Sequence, residues 1–110
     1  MAQNDASRRA RERERAAVLH AAIPSVVEVL ANRFGVRRIW LFGSLVWGFP
    51  HEASDLDVAV EGLASTDYFR ALGELLEVVP GGVDLVRLEE APDSLRVRIL
   101  QSGEVIHERP

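Results

Sequence analysis

The residues in this chain best placed to do chemistry are two carboxylates set two apart inside an apolar run, Asp55-Leu56-Asp57-Val58-Ala59-Val60. Strand side chains alternate between faces, so Leu56, Val58 and Val60 share one face, and Asp55 and Asp57 share the other. Along a strand the two acids stand about 6–7 Å apart. Two ionised acids side by side repel each other, and solvent, protonation or a cation must offset that. No arginine is adjacent in sequence, so a divalent metal is the economical choice. Hard oxygen ligands with little histidine suit magnesium or manganese. A third acid, Asp84, interrupts a second aliphatic run, Gly82-Val83-Asp84-Leu85-Val86. If the two strands are neighbours, three carboxylates can hold two ions about 3.5–4 Å apart. One ion would activate an attacking hydroxyl and the other would take the leaving phosphate. Taken alone, Asp55 and Asp57 also read as acids on the solvent face of an edge strand, and Asp84 as an exposed strand acid or turn cap.

Gly43-Ser44 stands ahead of Asp55 with ten residues between, directly behind the apolar run Ile39-Trp40-Leu41-Phe42. A strand that ends on glycine and passes into a helical turn leaves free backbone N–H groups, which favour phosphate, and the serine hydroxyl adds a donor. Glycine also lets the backbone approach a ligand closely. A Gly-Ser pair is weak evidence by itself. Followed at this spacing by Asp-x-Asp and a later strand aspartate, it is a far rarer combination.

These residues need a scaffold, and the pattern predicts one. Residues 6–22 read as a charged helix, with Arg8 and Glu12 four apart and Arg11 and Glu14 three apart. The simplest reading of that charge run is a solvated face; the alternative is a surface for a partner. Pro24 is expected to kink the helix or start a new turn. Val26, Val27, Leu30 and Phe34 continue at helical spacing until Gly35. Strands are expected over residues 36–42, 56–60 and 83–88, with a last short one over 104–107. Residues 44–48 read as a short helical turn and 48–54 as loop. Thr66 is the expected N-cap of a helix running to about Val79, and Pro92 opens another to about Leu100. The result is a small α/β, or α+β, fold: a mixed sheet with helices packed on one side. Trp40 and Phe42 read as core. Tyr68 reads as a packing residue and His51 as a solvated loop histidine. Trp47 and Phe49 fall in the loop of the site, where Trp47 reads either as packing or as a contact for a base or partner.

Composition narrows the function classes. The chain has 110 residues, one domain's worth, with residues 1–22 as a charged N-terminal segment. It has no cysteine, which removes disulfides, thiolate metal sites and cysteine nucleophiles. All 13 basic residues are arginine, which removes P-loop and Schiff-base lysines. A net charge of −4 argues against strong duplex nucleic-acid binding. The N-terminus, MAQNDASRRARERER, is no signal peptide, and no apolar run spans a bilayer. The expectation is a soluble, cytoplasmic protein.

Gly43-Ser44, ten residues, Asp55-Leu56-Asp57 and then Asp84 resembles the nucleotidyltransferase superfamily related to DNA polymerase β. The short chain and the segment FGVRRIWLFGS resemble its minimal members, over roughly residues 25–88. The resemblance implies transfer of a nucleoside monophosphate, here AMP from ATP, to an acceptor hydroxyl with release of pyrophosphate. It implies that Gly43 and Ser44 bind the triphosphate. Asp55 and Asp57 would hold both metals, and Asp84 would complete the site and help accept the proton. Minimal members are often encoded beside a helical HEPN-type toxin, act as its antitoxin, and in some cases attach AMP to its tyrosine. One departure stands out. Leu45 and Trp47 occupy positions where many minimal members carry a basic residue, so that cation is either missing or supplied by another arginine. Three functions follow as expectations. One is AMP transfer onto a partner protein, since the domain has little material for an acceptor pocket of its own. Another is a fold that neutralises its partner by contact alone. The last is transfer to a small molecule, which usually needs an additional helical domain.

Overall fold

The computed structural model describes residues 2–48 and 50–110. Helix α1 runs Ala2–Val27 and passes into a π-helical turn, Glu28–Arg33. Strand β1 (Arg38–Phe42), the short helix α2 (Ser44–Trp47) and strand β2 (Leu56–Glu61) follow. Helix α3 (Tyr68–Val78) leads to β3 (Val83–Arg87), and α4 (Asp93–Ser102) leads to β4 (Glu104–Glu108). Phe49, expected in the site loop, lies outside the described residues.

The four strands form one mixed sheet in the order β3-β2-β1-β4. β1 pairs antiparallel with β2 and β4, while β2 and β3 run parallel, joined across α3. The alternation expected of the apolar runs holds. Ile39 and Leu41 of β1, Leu56, Val58 and Val60 of β2, and Leu85 of β3 are all buried. They meet Leu19, Val26 and Leu30 of the first helical segment and Ala71 and Leu75 of α3.

The other face is also covered, which corrects the expectation of helices on one side. Trp40, Phe42, Ala59 and Leu88 pack against Ile99 of α4, with Leu95, Val86 and Trp47 alongside. Leu95 and Ile99 lie four apart on α4, so that short helix has an apolar stripe and must bury it. This second, smaller core leaves part of its face open, and the open part carries the acids.

Two local readings are refined. Of the two effects expected of Pro24, a new start is excluded: it lies inside α1. Proline removes one backbone bond. Buried Leu19 and Ala22 before it, and Val26, Val29 and Leu30 after it, hold both halves on the same core. Thr66 is not an N-cap. Ser65–Asp67 form a 3-10 turn ahead of α3, with Asp67 at the cap position and making no side-chain capping bond.

Candidate active site

Register brings the acids together. Phe42 of β1 lies opposite Asp57 of β2, and Asp57 lies opposite Asp84 of β3. Phe42, Asp57 and Asp84 therefore form one row across three strands, on the face that α4 covers only in part. The next row, Trp40, Ala59 and Val86, is the apolar one beneath α4. Asp55 precedes β2 and is exposed. Its carboxylate lies against Gly82, where any Cβ would overlap it. The Leu56 N–H donates to the Gly82 carbonyl at 3.0 Å, tying the Asp55 end of β2 to the turn before Asp84.

Gly43 abuts Asp57. Its φ of +74° and ψ of −154° are open to glycine and costly for other residues. A Cβ there would overlap the Asp57 carboxylate. Glycine is thus required twice at this corner, by backbone conformation and by close approach. Its carbonyl caps the following turn, accepting from Val46 at 3.1 Å and Trp47 at 2.8 Å. Ser44 opens α2, and its hydroxyl donates to the Ser54 hydroxyl at 3.3 Å. Ser54 is buried and also accepts from the His51 N–H at 2.8 Å.

The charge on this face is poorly offset. Asp57 is pushed up to about 6, first by burial and then by the negative charges of Asp84 and Asp55. The Tyr68 hydroxyl is also raised, by burial and then by Asp84, and it donates to the Leu85 carbonyl at 2.5 Å. Tyr68 thus packs, as expected, but beside the acids.

Among the described residues no three acidic, histidine or cysteine side chains converge as a ready-made metal cluster. The residues suit a divalent ion in donor type and in unmet negative charge, the Asp57–Asp84 pair being the nucleus and Asp55 standing to one side.

Three residues that matter here carried no signal in the motif. Ser54 is the buried polar residue of the loop. Arg15 donates from Nε to the Ser54 carbonyl at 3.0 Å and presses its guanidinium onto Gly81. Arg98 lies 3.9 Å over the Trp47 ring. Trp47 packs with part of its ring still exposed: it lies 5.7 Å from Phe42 and donates to the Ser102 carbonyl at 2.9 Å. His51 is exposed and accepts the Ala53 N–H at 3.1 Å, as a loop histidine does.

A mixed sheet with an acid pair in register and a strand–glycine–helix corner against it is the framework of a nucleotidyltransferase. The sequence profile of the family described as polymerase beta, nucleotidyltransferase matches residues 25–110, and the chain belongs to that family. It is 40% identical over 75 residues to the protein adenylyltransferase MntA of Thermococcus cleftensis, covering 66% of this chain and 76% of that one. Among solved structures, it resembles a minimal nucleotidyltransferase with a TM-score of 0.67 at 30% identity, covering 80% of this chain and 92% of the other. It also resembles a toxin–antitoxin structure with AMP-PNP, with a TM-score of 0.70 at 25% identity, covering 79% and 73%. The fold is that of the minimal nucleotidyltransferases.

Proposed function

We propose that residues 1–110 act as one nucleotidyltransferase domain that moves AMP from ATP to a hydroxyl of a partner protein. The partner is a HEPN-type toxin, this chain is its antitoxin, and the pair works in the cytoplasm. The observation that carries the reading is the row Phe42–Asp57–Asp84, with Gly43 closed onto Asp57. Kinship to a protein adenylyltransferase and the likeness to a toxin–antitoxin structure with AMP-PNP supply the nucleotide and the class of partner.

In this reading Gly43 and Ser44 seat the triphosphate at the start of α2. Asp55, Asp57 and Asp84 would hold magnesium or manganese. Such an ion would supply neutralisation of phosphate charge and a lowered pKa for the acceptor hydroxyl. The acceptor oxygen bonds to the α-phosphorus, the bond from that phosphorus to the bridging oxygen breaks, and pyrophosphate leaves. Asp84 takes the acceptor's proton. A groove of about 420 Å³ runs beside β3, lined by Tyr68, Leu85, Val86 and Leu95. At its rim Phe69 is 81% exposed, which gives a partner chain a place to dock next to Asp84. No helix among the described residues is long and apolar enough to cross a membrane.

A second reading, neutralisation by contact alone, draws on the loop. The side chains of Leu45 and Trp47 pack into the two cores, so α2 offers no cation of its own. Neutralisation of the neighbouring toxin by Asp55→Asn/Asp57→Asn separates the two. Loss of protection with a complex still formed supports transfer. Full protection by the variant supports contact alone.

A further inference from the structure

We propose that Arg98 is a nucleotide-binding residue, gripping the β,γ-phosphate end of the triphosphate from a seat made by Trp47. The proposal rests on the nucleotide-transfer reading and deepens it by naming a cation that the site loop lacks.

Helix geometry fixes where Arg98 points. Leu95 and Ile99 turn α4 toward the sheet, and Ser102 follows on the same stripe. On one flank of that stripe, Arg96 and Leu100 border a groove shared with Arg38 and Glu61, at the far ends of β1 and β2 from the acids. Arg98 stands on the opposite flank, at 100° per residue from its neighbours. That flank faces the Phe42–Asp57 end of the strands, where Trp47 lies. The contacts agree: the Arg98 guanidinium is 3.9 Å over the Trp47 ring, and that ring is 5.7 Å from Phe42, the residue opposite Asp57.

Arg98 also differs from the other arginines in what it holds. Arg8, Arg11, Arg33, Arg37, Arg38, Arg70, Arg87 and Arg96 pair with carboxylates. Arg15 and Arg109 donate to backbone carbonyls. Arg9 and Arg13 lie on the exposed, charged half of α1. Among the described residues, Arg98 alone on the acids' face has neither a carboxylate nor a carbonyl to hold, only an indole beneath it. Trp47 is immobilised by its bond to Ser102, so the stack presents the guanidinium flat, with its N–H fork free. A planar fork of this kind suits two phosphate oxygens at once.

Electrostatics give it a task. Three carboxylates and a triphosphate meet at one corner, and α2 contributes no charge. Nucleotide laid with its α-phosphate by Asp57 and its tail along Gly43-Ser44 runs its distal phosphates toward Trp47, three residues further on in α2. Arg98 meets the part that leaves as pyrophosphate.

The test is nucleotide affinity of the full chain with magnesium, measured by calorimetry for a non-hydrolysable ATP analogue and for AMP. Arg98 is exposed and holds no ion pair among the described residues, so Arg98→Gln should fold as the wild type does. We expect it to weaken the triphosphate analogue about tenfold and to leave AMP unchanged, with Arg98→Lys intermediate. Trp47→Leu, which removes the seat, should weaken the analogue in the same selective way. Equal analogue affinity in the wild type and Arg98→Gln overturns the role of Arg98 and leaves nucleotide transfer standing. No triphosphate binding by the wild type overturns both.

Discussion

Asp57 carries more negative surroundings than its strand can hold unaided. Burial first, then Asp84 and Asp55, raise its carboxyl from 3.8 to about 6. A carboxyl raised on folding holds its proton more tightly in the folded chain. The stability this confers is present below about pH 4 and is lost as pH rises through 6. Metal-free protein should therefore weaken from pH 4.5 to 7.5, and Asp57→Asn should escape that loss. After allowance for solvent screening, the difference is about 1–2 kcal/mol, or on the order of 5 °C in melting temperature at pH 7.5. Thermal unfolding in EDTA across this range measures it. Wild type and variant melting alike at every pH would contradict it. Magnesium at pH 7.5 should raise the wild type and not the variant. That Asp55 and Asp57 stand near enough for one charge to act on the other was legible in the sequence, because they lie two apart in one run. That Asp84 stands opposite Asp57 was not, because it needs β3 beside β2, and strand order is a long-range property. The partnership of Arg98 with Trp47 spans 51 residues, so no local pattern announces it.

Among the elements, α1 is tied to the site more closely than its charge pattern suggests. Arg11 pairs with Glu52 at 2.6 Å rather than with Glu14, and Arg15 binds the Ser54 carbonyl. Arg15 also packs on Gly81, so one guanidinium touches both the loop before Asp55 and the turn before Asp84. It is a positioning residue for the spacing of the two acids. Arg15→Ala should lower the turnover of AMP transfer about tenfold while shifting unfolding by no more than about 1 kcal/mol, the scale of one side-chain hydrogen bond. The two values are read from initial rates and from urea titration of the same preparations. An unchanged rate would return α1 to the role of a solvated face. The extent of α1 was only partly legible. Pro24 is a strong local signal to stop, and apolar packing on both sides of it overrides that signal. Helix α4 was foreseen as a helix, but not as a cover for the second face. Its apolar stripe is only Leu95 and Ile99, too short to show which side of the sheet it seeks.

At the scale of the molecule, the fold assigns its two faces different work. One is closed by α1 and α3 and holds the larger core. The other is closed by α4 over the Trp40–Ala59–Val86 row, with Phe42 beneath Trp47, and left open over Asp57 and Asp84. The site exists because the second core stops short. The fold class was legible because four apolar runs with turn residues between them allow few small sheets. The groove beside β3 was not, since it is built from α3, β3 and α4 together. The most direct test of the whole account is transfer of label from α-labelled ATP, with magnesium, to the protein encoded next to this one. The account predicts label on that partner, lost on chelation and reduced at least 100-fold by Asp57→Asn. A stable complex that takes no label under any nucleotide or metal would contradict it, and would leave the acid row as a vestige on a binding surface.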